Sequence, residues 1–215
     1  MFFPNPGIMA AGVGGPAIGQ RLFTASGPFV VPEGVYSVCL VVIGRGGGGG
    51  RWHSGGGGGL AYVNNLSVVP GETLQVEVTG LLSRVSRAGT ALAHASAGQG
   101  LEAGAALVGV GYSGGPGVQL FSDEGVASGG GAAGYTSNGG SGTGASILGG
   151  GGTGPNGGGG GASGGSNPGS VNGGTYGGGG GRAEVDYFGT GGPGCVRLIW
   201  GPGRAFPNTL TEDMS

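Results

Sequence analysis

Residues 35–59 read VYSVCLVVIGRGGGGGRWHSGGGGG, a β-branched run that passes without a break into a block of glycine. Along residues 35–43 one face would carry Val35, Ser37, Cys39, Val41 and Ile43, and the other Tyr36, Val38, Leu40 and Val42. β-Branched residues favour extended backbone, and both faces are mostly apolar. The run is therefore expected to be a central strand covered on both sides. The glycines after it bring no side chains to bury, so the question for the fold is how such a strand and such a block coexist.

Further strands can be read around this one. Residues 29–34 (FVVPEG) form a short strand entering a Pro/Gly turn, and residues 60–64 and 66–69 two more before the turn at 70–72. Residues 73–79 (TLQVEVT) alternate, with Leu74, Val76 and Val78 inward and Gln75, Glu77 and Thr79 outward. Residues 195–200 (CVRLIW) close the set, with Val196, Leu198 and Trp200 on one face and Arg197 on the other. Residues 88–108 are rich in Ala and Leu but interrupted by glycine, which leaves only a weak case for a short helix. The pattern predicts an all-β fold, an antiparallel sandwich or half-barrel.

Glycine supplies 64 of the 215 residues and proline 12. Collagen is excluded, because the glycines come in blocks and not in a strict Gly-X-Y period. Disorder fits poorly with 8% charged and 37% hydrophobic residues. Residues 128–182 hold 28 glycines in 55 positions, punctuated by turn residues and carrying spaced Ala, Ile, Leu and Tyr, unlike a Gly/Ser linker. Glycine can adopt the extended helix of three residues per turn, and helices without side chains pack closely enough to bond backbone to backbone. A large glycine-rich insertion at 109–193, built of packed polyglycine II-type helices, is expected. The remaining organisation is an extended arm at 1–20, strands in 21–108 and 194–207, and a tail at 208–215.

Charge and motifs exclude much. Ten acids and eight arginines give a net charge of −2, without a single lysine, so no basic stripe for nucleic acid, no Walker-A lysine and no Schiff base are present. No apolar run approaches the length of a membrane span, and residues 1–11 lack the positive start of a secretory signal. Residues 109–114 (GVGYSG) spell GxGxxG, but Gly-Pro-Gly follows where a dinucleotide site needs a helix. GxSxG occurs at 111–115 and 161–165; 17 serines at this glycine frequency give about 1.5 chance matches. His53 and His94 are isolated, no metal spacing is found, and the acid pairs Asp123/Glu124 and Glu184/Asp186 carry no further calcium signature. Neither catalysis nor a cofactor is expected. Cys39 and Cys195 are read as two buried thiols, with a bond between strands as the alternative.

The ordered set FVVPEGVYSVCLVVIGRGGGGG, GGGGGLAYVNNLSVVPGETLQVEVTG, a glycine-rich middle and GGPGCVRLIWGPGRAFPNT resembles the glycine-rich domain of tail-fibre and other virion proteins of tailed bacteriophages, over residues 22–210. The resemblance implies a virion component of tail-fibre or tail-tip type, homotrimeric, located in the phage particle, that contributes to host-surface recognition through a glycan or an outer-membrane protein. The alternative is a purely architectural head-decoration, collar or baseplate protein. The receptor-contact candidates are the loop aromatics Trp52, Tyr135, Tyr176, Tyr187 and Phe188, each of which could instead pack in the core or on a glycine face, together with Arg51 and His53 beside Trp52. Phe2, Phe3, Ile8, Met9 and Ile18 of the apolar arm are the virion-docking candidates, since exposed apolar segments mark interfaces.

Overall fold

The computed structural model describes residues 18–121, 125–144, 171–184 and 187–209. In chain order its strands are β1 (Gly19–Phe23), β2 (Gly27–Val30), β3 (Ser37–Ile43), β4 (Leu60–Ser67), β5 (Thr73–Val78), β6 (Leu82–Arg87), β7 (Thr90–Ser96), β8 (Ala106–Val108), β9 (Val110–Tyr112), β10 (Arg182–Glu184), β11 (Tyr187–Phe188) and β12 (Cys195–Trp200). They form two five-stranded antiparallel sheets, β1-β12-β3-β4-β9 and β2-β5-β6-β7-β8, and a small β10–β11 ribbon. The architecture is an open sandwich, without helix or closed barrel among the described residues.

The core between the sheets takes alternate residues from each. Val38, Leu40, Val42, Val196 and Leu198 meet Phe29, Leu74, Val76, Val85, Ala93 and Ala95. Side chains of this kind contribute about 1.5–3 kcal/mol each when fully buried. The opposite face of β3 and β12 is covered as well: Cys39, Val41, Ile43, Cys195 and Ile199 lie under Tyr135, Phe206 and Ala133. β3 is thus enclosed on both faces, as its composition predicts. Arg197 points to this second layer, where its Nε donates to Gln20 Oε1 at 2.6 Å and its guanidinium lies 5.9 Å from the Phe206 ring centre.

Several boundaries differ from the sequence reading. Strand β1 begins at Gly19, inside the stretch 1–20 read as an arm, because residues 19–23 pair with β12. The run 60–64 and the first part of 66–69 are one strand, β4, which ends at Ser67 and absorbs an irregularity opposite Val38–Leu40 with Asn65 in the left-handed region (φ 53°). The Ala-rich stretch is strand β7 and not helix. Ala93 and Ala95 point inward where the other sheet packs against them, and a turn at Ala88-Gly89, both with positive φ, joins β6 to β7. The β3–β12 register sets Cys39 opposite Ile199 and Cys195 opposite Ile43. Four strand residues, about 13 Å, separate the two cysteines, beyond disulfide reach. Both are buried free thiols, and burial pushes that of Cys195 up to about 12.

Candidate functional site: a glycine lattice and its aromatic tip

Beyond Ile43 and Leu60 the β3–β4 pair continues into glycine, and its hydrogen-bond period changes. Gly44 N–H donates to the carbonyl of Gly59, Gly47 to Gly56 and Gly50 to His53, each at 2.8 Å and each three residues further on. The returning segment 54–59 shows the reason. Ser54 and Gly57 donate to Val118 and Gly115, Gly55 and Gly58 to Gly180 and Gly177, and Gly56 and Gly59 to Gly100 and Ser96. Successive amides therefore point to three different neighbours, and every third returns to the same one, which is the periodicity of an extended helix with three residues per turn. Its carbonyls accept from Gly47 and Gly44, from Gly130 and Ala133, and from Gly104. One glycine segment thus lies inside a ring of six, with the N–H and C=O groups of residues 55–59 all bonded backbone to backbone.

Close approach, and not turn geometry, requires the glycines here. A methyl group on Gly57 would overlap the Gly131 carbonyl, one on Gly58 that of Gly44, and one on Gly189 that of Val171. The glycine region expected at 109–193 therefore draws on more of the chain: 44–59 is its centre, and 96–105 lies within it. Residues 145–170, with several glycine runs, lie outside the described residues.

The ladders also give the bundle a direction. It stands on one end of the sandwich, and six residues from Gly44 to Gly50 carry the chain about 19 Å away from it. The turn at 50–53 is therefore at the far tip. A second hairpin repeats the ladder in reverse: Ser128 donates to Thr143, Gly131 to Gly140 and Gly134 to Ser137. Gly130 bonds Gly55 and Ala133 bonds Gly58, so this hairpin starts at the tip and turns at 134–137 against the sandwich.

That difference sorts the candidate residues. Trp52 is exposed at the tip, with the Arg51 guanidinium 5.0 Å from its ring centre; its carbonyl accepts from Leu120 N–H at 2.8 Å. Half-buried His53 makes backbone bridges with Gly50 and Gln119 beside it. Exposed Tyr187 and Phe188 lie on the ribbon that leads into Gly189, which accepts from Gly49, so they belong to the same end. Phe121, 92% exposed, joins them; the only hint in sequence is a lone aromatic next to a Ser-Asp-Glu segment.

Tyr135 and Tyr176 do not join them. Tyr135 is 5% exposed, stacked on Phe206 at 5.5 Å between ring centres and edge-on to Tyr62 at 6.0 Å. Tyr176 packs on the same cluster, and desolvation raises the hydroxyls of both above the usual tyrosine value. They lie where the bundle joins the sandwich and not at the tip, Tyr135 buried and Tyr176 partly so. Of the docking candidates, Ile18 is 69% exposed at the opposite end, the base; Phe2, Phe3, Ile8 and Met9 lie outside the described residues.

Of the chance motifs, that at 161–165 lies outside the described residues. Residues 109–114 run through β9 into the lattice, with no helix after them, and Ser113 N–H is capped by Asn138 Oδ1 at 3.0 Å. His94 lies on the outer sheet face beside Arg84, its pKa lowered mainly by burial. Among the described residues no cluster of three or more His, Cys, Asp or Glu is placed to hold a metal. No protein-family model matches this chain, and no curated protein does.

Proposed function

We propose that the protein is a bacteriophage virion component of tail-fibre or tail-tip type that recognises the host surface with the far end of its glycine bundle. The observation that carries this reading is polarity. Trp52, Phe121, Tyr187 and Phe188 are exposed together at one end, whereas the chain enters β1 from the other. Aromatic side chains offer large contact area at low entropic cost, and a rigid bundle holds them in place. The motif-level likeness to phage glycine-rich domains supplies the biological setting. Binding and no catalysis is the proposed role, with a host glycan or outer-membrane protein as partner.

A purely architectural role in the particle is the second reading. It is favoured by exposed Leu107, Val108 and Val110 on the β8–β9 edge, away from the tip. Adsorption separates the two. Purified protein should compete with phage for host cells, and Trp52→Ala combined with Phe121→Ala should abolish competition while leaving the melting transition in place. Protein that stays on virions but never binds cells would overturn the adhesin reading.

A further inference from the structure

The second layer over β3 and β12 holds a buried cation at its margin. Arg197 is 4% exposed, and burying a charge is costly unless a counter-charge meets it. Its Nε donates to Gln20 Oε1 on β1, its Nη1 reaches the Thr209 carbonyl at 3.5 Å, and the Phe206 ring covers one side. These three groups are neutral. The acids of the described residues serve elsewhere. Glu72 and Glu77 pair with Arg87 and Arg84 on the other sheet, and Glu33 is exposed in the turn before β3. Glu102 forms a backbone bridge with Gln99, and Glu184 belongs to β10 near the tip.

The chain beyond Thr209 carries the fitting chemistry. Thr209 is buried and held at both ends: its N–H donates to the Ala205 carbonyl, and its Oγ1 accepts from Ala205 N–H. The continuation therefore starts beside the guanidinium, and it reads Leu210-Thr211-Glu212-Asp213-Met214. Glu212 follows three residues on, at most about 11 Å of chain, so no long loop parts its carboxylate from Arg197. The nearest other acid in the sequence is Asp186. Leu22, the register partner of Arg197 on β1, shares its face and is 46% exposed. Two acids between Leu210 and Met214 thus match a cation beside an exposed leucine.

We propose that this margin is a carboxylate site filled by residues 210–214 of the same chain, with a carboxylate of Glu212 or Asp213 on Arg197 and an apolar tail residue over Leu22. The tail then works as a latch. Arg197 also holds β1 through Gln20 and the segment 201–209 through Phe206 and Thr209, and it acts on the Tyr135 hydroxyl where the bundle joins the sandwich. This does not depend on what the tip binds. The test is a double-mutant cycle in full-length protein, read by urea titration. Glu212→Gln/Asp213→Asn should raise the unfolding equilibrium constant at least about tenfold. In an Arg197→Met background the same change should shift it by no more than about twofold. Glu33→Gln, an exposed acid away from this layer, controls for net charge and should also stay within about twofold. If Arg197→Met misfolds, ¹³C-carboxyl titration of the wild-type chain reads the same contact. One of the two tail carboxyls should then titrate at least about one unit below its model-peptide value, about 3.9 for Asp and 4.3 for Glu. Tail variants as stable as wild type, an equal loss in both backgrounds, or two carboxyls at ordinary values would each overturn the proposal, whatever the adsorption assay shows.

Discussion

In the sandwich, successive residues of a strand face two directions; in the glycine bundle they face three. A strand bonds two neighbours in its own plane and leaves its faces to side chains, which is why β3 needs Leu40 on one side and Val41 on the other. The segment 54–59 bonds neighbours all around and leaves no face. The sheets are held by what side chains exclude from water, the bundle by how closely backbones approach when side chains are missing. At the pair Ile43 opposite Leu60, followed by Gly44 bonded to Gly59, the chain passes from one regime to the other.

The largest test of that contrast is Gly57→Ala. Its methyl would collide with a backbone carbonyl that cannot rotate away, and the shift would disturb the bond from Gly57 to Gly115 and that from Gly115 to Gly131. Overpacking plus lost bonds should lower stability by about 4 kcal/mol in urea titrations. A cost under about 1 kcal/mol would mean that the lattice is loose. Next comes a pair at the two hairpin turns. Tyr135→Ala removes a buried stacked ring and should cost about 3 kcal/mol, whereas Trp52→Ala, at an exposed turn in the same ladder position, should stay within about 0.5 kcal/mol. Equal effects would break the assignment of one turn to the sandwich and the other to the tip.

Gly80 is the counter-example to Gly57. It has open space around its Cα and no left-handed φ, so Gly80→Ala should stabilise by about 0.5 kcal/mol through the unfolded chain. The smallest effect belongs to the outer sheet face. The Arg84 hydrogen bond holds the Glu77 carboxyl below its usual value. The stability it contributes is present above the unfolded carboxylate value, about 4.3, and is lost as pH falls through the lower folded one. Exposed pairs contribute about 0.2–1 kcal/mol, so Glu77→Gln should flatten the acid limb of a melting-temperature profile only slightly.

The strands with strong side-chain signals could be read from sequence: β3, β5 and β12 follow their alternation. β7 could not, because its inward residues are alanines, and small size is favourable only when the facing sheet comes close. The place of the first glycine block was also hidden. Gly55 bonds Gly180, 125 residues away, and no local pattern names that partner. The tip was half legible for a similar reason. Trp52 and Tyr135 both sit in two-residue turns flanked by glycine, and which turn is exposed depends on whether the chain is leaving the sandwich or returning to it. That is settled by the number of earlier passes, not by the residues of the turn.

The three-spaced lattice has a calorimetric consequence. Unfolding the sandwich exposes apolar surface and raises the heat capacity, whereas unfolding the bundle exposes mostly amide groups, whose hydration lowers it. The two contributions oppose each other within one chain. The curve of free energy against temperature should therefore be flatter than for an ordinary domain of this length, and the molecule should keep its shape over a wide span between cold and heat.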